Sequence, residues 1–589
     1  MQSQQKKPVL LVTSALPYVN NIVHLGNIIG SVLSADVYVR YARSKNINDV
    51  IFVGGVDEYG TATEVKAREL KVSCKEVCDK NEKIHNEIYK WFNISFDCYG
   101  RTSQPNGDPS IIQPEWPQTR ITHKIFRDLC DSKYVIEKTE HVMDCDHLKT
   151  FVADRFVIGT CPHCQSNKAD GDQCDKCGRL LTPTELIDPR YKPNPSYTLE
   201  VRTTDNLFID TQQIWNDHNL TEWFNSNQNT WTHIACSITN EWLSKGLQPR
   251  SITRDLLWGT AGPDTVQFGS KYSSKVFYVW FDAPIGYIGI TEHILGQQKS
   301  EEIWRDPQTK LIQFMAHDNV PFHSVIFPVT LYGSNYSRLT NVDIVSTSYL
   351  MFEGNKFSKS KGTGLFCDEV IEISKRHDIG CDYWRLYLIY IRPEKGDTNF
   401  CIKGFEDFIN HIMIKNFGNL VHRVASVAYQ IRSKKIIDTI NAIDTNNNSL
   451  SELEDNLNSE CQTFINEYDN LMDNYKLSDG LKITLRYSAR LNLSVNEFEP
   501  WLLIRDESNQ QTLYRYITLA YRHLIILCSL LHPFAPDLCD KVVKLIEIKT
   551  PHNFRDKSIR SLINSSDYSI NLPLTKPAVI IKPFSLSEI

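Results

Sequence analysis

The sequence lacks a long hydrophobic run. Its apolar stretches all fall well short of the roughly 20 residues that a membrane-spanning helix needs. Residues 1–10 contain neither the apolar core of a signal peptide nor an arginine-rich amphipathic leader. A basic excess is also missing, since 64 Lys and Arg against 70 Asp and Glu give a formal net charge of −6. We therefore expect a cytoplasmic protein without a membrane anchor, in which any contact with nucleic acid is local.

The length of the chain and its composition predict several domains of ordinary globular type. With 589 residues, 41% of them hydrophobic, the chain is too long for one core, and three or four domains are expected. No internal repeat is found. The 16 cysteines, in a chain without a secretory signal, indicate reduced thiols and a metal site.

Strand and helix patterns alternate in the first hundred residues, as in a parallel α/β sheet. Val9–Val12 and Val50–Val53 are apolar runs typical of buried strands, and Asp57 follows the second at the carboxyl end where such sheets bind ligands. Between them, apolar residues recur at helical spacing and predict a core-facing stripe: Ile28, Val32, Ala35, Val39 and Ala42.

The later parts of the chain have a different character. Strand patterns return at 276–281 and 311–315, after a stretch rich in paired cysteines that interrupts the sheet domain. From about Phe405 to residue 550 the pattern is helical, and we interpret the Asn- and Ser-rich residues 441–459 as a solvated loop between helices.

Two Cys-x-x-Cys turns, Cys161–Cys164 and Cys174–Cys177, stand nine residues apart. Four thiolates at this spacing predict a tetrahedral shell around one zinc ion; the alternative is two unrelated buried pairs. A complete four-cysteine shell leaves no open position for water, so the metal is expected to be structural. Cys145 and His147 could form half of a second knuckle, but no matching pair follows Leu180, so they are not expected to be ligands.

Two further motifs fit a site that binds a nucleoside triphosphate from two sides. His24-Leu25-Gly26-Asn27 follows a strand and opens a helix, a turn that presents backbone N–H groups to phosphate. Lys356-Phe357-Ser358-Lys359-Ser360 is a lysine-rich loop after a small-residue turn. Each alone is weak evidence, and the loop by itself would be interpreted as a solvated turn.

These motifs, together with Ala15-Leu16-Pro17-Tyr18 and the stretch Val279–Tyr287, resemble the methionyl-tRNA synthetase family of class I aminoacyl-tRNA synthetases. The resemblance extends from about residue 8 to beyond 540. It implies a methionine–tRNA ligase that forms methionyl-adenylate from L-methionine and ATP and transfers the methionyl group to tRNA(Met). The alternatives are another class I synthetase or a catalytically inactive tRNA-binding homologue.

The resemblance also implies roles for individual residues. Those implied for catalysis are His24, Asn27, Lys356 and Lys359, and those for ATP, held with Mg²⁺, are His24, Gly26, Asn27, Asp318 and Lys359. His317 stands where the family has a lysine, so no role is assigned to it. The implied methionine pocket consists of Ala15, Leu16, Tyr18, Asp57, Trp280, Ala283, Tyr287 and His323.

Within that pocket Asp57 is the natural partner of the substrate ammonium group. Ordinary strand packing is the alternative interpretation of Trp280 and Tyr287. For the tRNA anticodon, the resemblance implies Asn419, Arg423 and Trp501; Asn419 and Arg423 are four residues apart and share a helix face. The alternatives are a core tryptophan and a surface ion pair.

The expected fold is therefore α/β: a Rossmann-like parallel-sheet catalytic domain, split by a zinc-knuckle insertion and followed by an α-helical bundle that binds the anticodon. A monomer is expected, since the chain carries no added dimerising domain. The predicted domains are residues 1–118 and 252–335 for the two catalytic halves, 119–251 for the insertion, 336–402 for the signature-loop and stem-contact region, 403–569 for the anticodon-binding domain and 570–589 for a C-terminal tail.

Overall fold

The structure is a computed structural model with side chains. It describes residues 7–46, 48–104, 115–148, 150–152, 156–171, 174, 176–177, 181–262, 267–268, 270–357, 363–433, 448–504, 509–546 and 577–586. Within these ranges no helix is both long and apolar enough to cross a membrane.

The centre of the fold is a five-stranded sheet in which all neighbouring strands are parallel. Its order across the sheet is Asn341–Thr347, Lys310–Ala316, Val9–Ser14, Asp49–Val56 and Cys98–Arg101. The chain runs outward in one direction from Val9–Ser14 and resumes on its other side with Lys310–Ala316. The strand order therefore reverses between these two strands, which is the point where open α/β sheets bind ligands.

Helices cover both faces of this sheet. In the first half they are Leu25–Asn27, Ile28–Val32, Leu33–Lys45, Thr61–Leu70, Cys74–Trp91 and Pro117–Asp131. All five residues of the predicted apolar stripe are buried: Ile28, Val32, Ala35, Val39 and Ala42. The helix Cys74–Trp91 begins with a capping box, in which Ser73 and Glu76 satisfy each other's backbone N–H groups.

The cysteine-containing stretch forms two small antiparallel sheets. One has the order Arg250–Ser251, Leu199–Ile209, Val135–Cys145 and Thr150–Val152; the other has the order Ala169–Asp170, Val157–Thr160 and Ile187–Tyr191. The helices Thr211–Asp217, Leu220–Asn227 and His233–Ser244 follow and pack on the central sheet. Trp231, for example, donates its indole N–H to the carbonyl of Val342 at 2.7 Å.

The predicted strand at 276–281 is wrong in its second half. Only Val276–Phe277 is a strand, paired with Thr253–Arg254, and Val279–Asp282 is a helical turn in which the Ala283 N–H donates to the Val279 carbonyl at 2.9 Å. A short run of β-branched and aromatic residues has the same composition in a buried strand and in a buried helix, so periodicity alone does not separate them. The predicted strand at 311–315 is confirmed.

The remaining elements up to residue 400 belong to the second half of the sheet domain and to the region that follows it. They are Gly286–Leu295, Gln297–Trp304, Phe322–Ile326, Phe327–Gly333, Cys367–His377 and Cys381–Tyr390 among the helices, and the parallel pair Leu350–Phe352 and Thr398–Phe400.

The described residues between 402 and 546 are mainly helical, as predicted. Their helices are Ile402–Asp407, Phe408–Gly418, Asn419–Ser433, Asn448–Asp473, Leu477–Phe498, Pro500–Leu503, Gln510–Leu531 and Pro536–Leu545. The predicted loop at 441–459 is wrong for residues 448–459, which are helical; residues 441–447 lie outside the described ranges. Leu450, Leu457 and Cys461 are buried at helical spacing, and this packing overrides the weak helix propensity of the surrounding Asn and Ser residues.

A buried arginine joins the sheet domain to the helical region. Arg385 pairs with Asp36 at 2.8 Å and donates to the carbonyls of Phe92 at 2.8 Å and Phe534 at 3.1 Å. Asp36 and Phe92 belong to the sheet domain, whereas Phe534 lies between the last two long helices. A fully buried guanidinium needs all these acceptors, so they hold the two regions in one fixed arrangement.

The described residues 577–586 pack against the start of the helical region. The side chain of Asn410 donates to the Phe584 carbonyl at 2.8 Å and accepts from the Phe584 N–H at 3.3 Å. Ile581 and Leu586 are buried. The described part of the predicted C-terminal tail, residues 577–586, therefore contributes to the hydrophobic core.

Candidate active site

The loops that follow the neighbouring strands Val9–Ser14 and Asp49–Val56 meet beside the reversal point of the sheet. Ala15 donates its N–H to the carbonyl of Phe314 at 2.8 Å, so it is fixed beside the strand Lys310–Ala316. Tyr18 and Asp57 form an isolated parallel bridge, with the Asp57 N–H bound to the Pro17 carbonyl at 2.9 Å. The predicted pocket residues Ala15, Tyr18 and Asp57 are thus brought together.

Asp57 is a buried carboxylate with an unsatisfied oxygen. Its Oδ1 has no hydrogen-bond partner among the described residues, and the residue is only 4% exposed. Burial raises the pKa of Asp57 well above its usual range, and the Asp282 carboxylate raises this pKa further, against the effect of the Tyr59 backbone amide. An orphaned buried carboxylate oxygen is costly, so this position favours a ligand that brings a positive charge and hydrogen-bond donors.

Asp282 is the second buried carboxylate of this region. Thr260 donates to its Oδ2 at 2.7 Å, and burial raises the pKa of Asp282 to about 7. Its Oδ1 has no partner among the residues described. The Asp282 carboxylate therefore disfavours ionisation of Asp57, a repulsion that a bound cation would relieve.

Tyr287 and His323 are joined in a buried hydrogen-bond chain. The Tyr287 hydroxyl lies 2.8 Å from Nε2 of His323, and Nδ1 of the same ring lies 2.8 Å from the carbonyl of Asn319. Because a carbonyl only accepts, Nδ1 carries the proton and Nε2 accepts from Tyr287. Burial lowers the pKa of His323 to about 4, so the imidazole is neutral and is held in one tautomer.

Two aromatic residues of the predicted pocket, Trp280 and Tyr18, are partly exposed. Trp280 lies on the helical turn Val279–Asp282, together with the pocket candidate Ala283 at its end; it is 41% exposed, and its ring centroid is 5.1 Å from that of Phe322. Tyr18 is 42% exposed. Trp280 therefore does not pack as a strand residue. Leu16, the remaining predicted pocket residue, lies next to the helix Gly286–Leu295, where a side chain added at Gly286 would reach within 3.2 Å of it.

His24 caps the helix that opens at Leu25. Its Nδ1 accepts from the Gly26 N–H at 3.1 Å, and the Asn27 side-chain oxygen accepts from the His24 N–H at 3.0 Å. Burial lowers the pKa of His24 to about 4. A Cβ at Gly26 would lie 2.9 Å from the His24 ring, so glycine is needed for this close turn.

The two motifs predicted to bind the nucleotide are in contact. The rings of His24 and Phe357 are stacked, with centroids 4.4 Å apart and planes inclined by 8°. Lys356, the residue before Phe357, has its Nζ 4.8 Å from the centre of the Tyr349 ring. Lys359 lies outside the described residues. The structure therefore places the described start of the lysine-rich loop against the helix that opens at Leu25.

Asp318 lies just past the end of the strand Lys310–Ala316 and is held by two neighbours. The Tyr349 hydroxyl is 2.8 and 2.9 Å from its two carboxylate oxygens, and Nε2 of His317 is 3.2 Å from Oδ1. Sequence reasoning missed Tyr349. It lies seven residues before Lys356 and belongs to none of the motifs, so no local signal pointed to it.

The four predicted metal ligands form one cluster. All their sulfur atoms lie within 4.8 Å of one another, with 3.9 Å between Cys161 and Cys177 and 3.5 Å between Cys164 and Cys174. Four sulfurs arranged tetrahedrally at about 2.3 Å from zinc are about 3.8 Å apart, so the donor set fits zinc. His147 stacks on Tyr197 instead, with 4.7 Å between ring centroids.

The three predicted anticodon residues share one surface of the helical region. The Arg423 guanidinium lies 5.3 Å from the centre of the Trp501 ring, which is 40% exposed. Arg423 donates to Asn496 at 2.5 Å, and Asn419 donates to Asn492 at 3.4 Å. Asn492 and Asn496 were missed, although their spacing of four repeats that of Asn419 and Arg423 on the neighbouring helix.

Comparison with known proteins defines the class. A family model described as tRNA synthetases class I (M) matches residues 10–425. The chain therefore belongs to the class I aminoacyl-tRNA synthetases, within their methionyl-tRNA synthetase family. The family and the fold class predicted from the sequence are confirmed.

Its relatives include enzymes named as methionine–tRNA ligases. The chain is 42% identical over 549 residues to a probable cytoplasmic methionine–tRNA ligase of Dictyostelium discoideum and spans 69% of its length. It is 40% identical over 581 residues to the cytoplasmic enzyme of Arabidopsis thaliana, again spanning 69% of that protein. For the human cytoplasmic enzyme the identity is 38% over 561 residues, and the chain spans 58% of it. These matches cover 92%, 97% and 93% of the present chain.

A solved structure shares the fold over almost the whole length. The Mycobacterium tuberculosis methionyl-tRNA synthetase in complex with methionyl-adenylate matches with a TM-score of 0.74. The match covers 98% of this chain and 99% of the other, at 17% identity. At this identity the likeness concerns the fold.

Proposed function

We propose that the chain is a cytoplasmic methionine–tRNA ligase, which activates L-methionine with ATP and transfers it to tRNA(Met). The observation that carries the proposal is the buried Asp57 carboxylate, one of whose oxygens has no partner among the described residues, at the carboxyl end of the strand next to the reversal point of the sheet. A free amino acid carries an ammonium group, which can donate a hydrogen bond to this oxygen and pair with its charge. The names of the relatives support methionine as the amino acid and the cytoplasm as the compartment.

In this proposal the aromatic pocket selects methionine. Asp57 binds the ammonium group, while Ala15, Leu16 and Ala283 shape the space for the side chain. Tyr18, Trp280 and Tyr287 offer rings to the thioether, a contact that sulfur–aromatic attraction favours by about 0.3–1.5 kcal/mol. His323 accepts a hydrogen bond from the Tyr287 hydroxyl and fixes its position. Because this histidine is neutral, it places no positive charge near the substrate ammonium group.

In this proposal the protein promotes adenylation by positioning the two substrates and by stabilising the negative charge on the phosphates. The methionine carboxylate attacks the α-phosphate of ATP, the new bond forms an acyl phosphate, and pyrophosphate leaves. His24, Gly26 and Asn27 bind the phosphates at the helix N-terminus, Asp318 binds the ribose, and Lys356 and Lys359 stabilise the charge that develops on the leaving group. Mg²⁺ bound to ATP neutralises part of the phosphate charge.

We assign one structural zinc to Cys161, Cys164, Cys174 and Cys177, because the sulfur positions fit its tetrahedral shell. We likewise propose the predicted division of the chain into two catalytic halves, an insertion and an anticodon-binding region.

The direct test of the function is ATP–pyrophosphate exchange with each amino acid in turn. Exchange that depends on methionine supports the proposal. Exchange that depends on another amino acid would assign the chain to another class I specificity, and no exchange at all would make it an inactive tRNA-binding homologue.

Methionine should stabilise the protein more as pH rises through the pKa of Asp57. Burial raises that pKa, so the ligand-free protein favours the protonated form and loses stability as pH rises through it. Below that pKa, binding of the ammonium group must displace the proton, whereas above it the ammonium neutralises a charge already present. Thermal unfolding with and without saturating methionine, measured over a series of pH values, tests this, and a shift in unfolding temperature that is the same at every pH would contradict it.

Trp501→Ala should reduce tRNA charging roughly tenfold to a hundredfold while leaving pyrophosphate exchange unchanged. Stacking of an RNA base on an aromatic ring contributes about 1–3 kcal/mol, and adenylate formation needs no anticodon. The neighbouring exposed Leu502 is the control, since Leu502→Ala should alter neither activity. Equal losses of charging and exchange in Trp501→Ala would instead identify a residue needed for folding.

A further inference from the structure

One tyrosine contacts both a residue of the ribose site and a lysine of the signature loop. The Tyr349 hydroxyl is within 2.9 Å of both carboxylate oxygens of Asp318. The Nζ atom of Lys356 lies over the face of the same ring, 4.8 Å from its centre. No motif of the chain includes Tyr349, yet it is the contact between these two proposed ATP-binding residues.

We propose that Tyr349 is a positioning residue that holds the Asp318 carboxylate in the orientation that receives the ribose hydroxyls of ATP. This inference rests on the proposed role of Asp318. The phenol donates one hydrogen, which the two carboxylate oxygens share, and each oxygen keeps further acceptor capacity. The Asp318 side chain is 65% exposed, so that capacity faces open space where ribose hydroxyls can donate.

Tyr349 is itself held from several sides. Its backbone N–H donates to Asp397 at 3.0 Å, and the Ser348 hydroxyl donates to the same Asp397 oxygen. The carbonyl of Tyr349 accepts from Thr398 at 3.0 Å. The His317 ring packs edge-on against the phenol, with centroids 4.1 Å apart. An exposed aspartate anchored by such a fixed donor is preorganised, so less rotamer freedom is lost when ATP binds.

The phenol remains a donor at any working pH. Burial, the hydrogen bond to Asp318 and the charge of that carboxylate all raise the pKa of Tyr349. The Lys356 ammonium lies over the ring face, and within the described part of the chain no ion pair or hydrogen bond joins it to Asp318, so it does not compete with the phenol. The same side chain therefore fixes the start of the signature loop through its ring and the ribose site through its hydroxyl.

The test is Tyr349→Phe, which keeps the ring for Lys356 and His317 and removes only the hydroxyl. In methionine-dependent pyrophosphate exchange the KM for ATP should rise roughly 5- to 20-fold, with the KM for methionine unchanged. The specific readout is the preference for ATP over 2′-deoxy-ATP and 3′-deoxy-ATP. That preference should fall several-fold in the variant, since the misoriented carboxylate no longer recognises the ribose hydroxyls.

Two controls separate this inference from the function it rests on. Asp318→Asn should reduce the same ribose preference, and adding Tyr349→Phe to it should cause little further loss. If Asp318→Asn leaves the preference intact, the ribose role of Asp318 is wrong. If Asp318→Asn reduces it but Tyr349→Phe lowers activity equally with all three nucleotides, or not at all, the positioning role is overturned while the function stands.

Tyr332→Phe is the matched hydroxyl deletion outside the site. Its hydroxyl donates to the Leu339 carbonyl at 3.3 Å and touches no proposed ligand-binding residue. Ribose preference in Tyr332→Phe should equal that of the unmodified protein. A change of the same size in both variants would show that loss of any tyrosine hydroxyl produces the effect, and it would overturn the assignment.

Discussion

Replacement of Asp57 by asparagine should raise the KM for methionine roughly a hundredfold to several thousandfold, with little change in the KM for ATP. The unmodified carboxylate is buried with one unpartnered oxygen, so the substrate ammonium meets a charge that has no competing partner among the described residues. Loss of one member of a buried charge pair costs about 3–5 kcal/mol, because the other charge is left without compensation. Pyrophosphate exchange at varied methionine and varied ATP measures both constants.

The stability of the same variant distinguishes lost binding from lost folding. Asp57 has a raised pKa in the folded state, so its ionisation destabilises the ligand-free protein as pH rises. Asp57→Asn removes that charge and should therefore unfold at the same or a higher temperature at pH 8. A variant that binds methionine poorly yet remains stable supports the assignment. Equal increases in both KM values would refute the division between methionine and nucleotide sites.

The second large effect is expected at the cysteine cluster. Purified protein should contain about one zinc per chain, and Cys174→Ser should lose most of it on dialysis against a chelator. Structural zinc sites in small domains contribute about 10–16 kcal/mol of apparent binding free energy, which is also folding free energy. The region 157–191 should therefore become sensitive to protease in Cys174→Ser. Elemental analysis and limited proteolysis measure these two changes.

Cys145 provides the matched control for this experiment. It is buried in the same small core as Cys161 and Cys174, but it lies outside the four-sulfur cluster. Cys145→Ala should therefore retain its zinc, even if the lost packing lowers stability. Full zinc retention in Cys174→Ser, or equal loss of zinc in both variants, would show that the metal is not held by the proposed four ligands.

Local spacing was sufficient where the interacting residues are close in sequence. The Cys161–Cys164 and Cys174–Cys177 turns predicted a cluster that the structure brings together, because two tight turns need only one loop between them to meet. The stripe from Ile28 to Ala42 was correct, since one helix face is determined by its own periodicity. The order and content of the motifs identified the family, which the comparisons confirm.

Predictions of element type failed where packing from elsewhere decided the outcome. The run at 276–281 has strand composition, yet residues Val279–Asp282 turn helical against buried neighbours. The Asn- and Ser-rich residues near 450 look like a loop, yet Leu450 and Leu457 bury themselves between helices. In both cases burial of apolar side chains outweighs local propensity, which spans less than about 1 kcal/mol per ordinary residue.

The sequence by itself determined the class of the protein, the metal ligands to test and most of the candidate site residues. Only the tertiary structure decided which of their atoms have partners. One oxygen of Asp57 has no partner in the described ranges, Asp318 accepts a hydrogen bond from Tyr349, 31 residues later, and Arg423 donates one to Asn496, 73 residues later. These pairings join separate elements whose approach depends on the packing of the whole chain, and no periodicity or short motif encodes that approach.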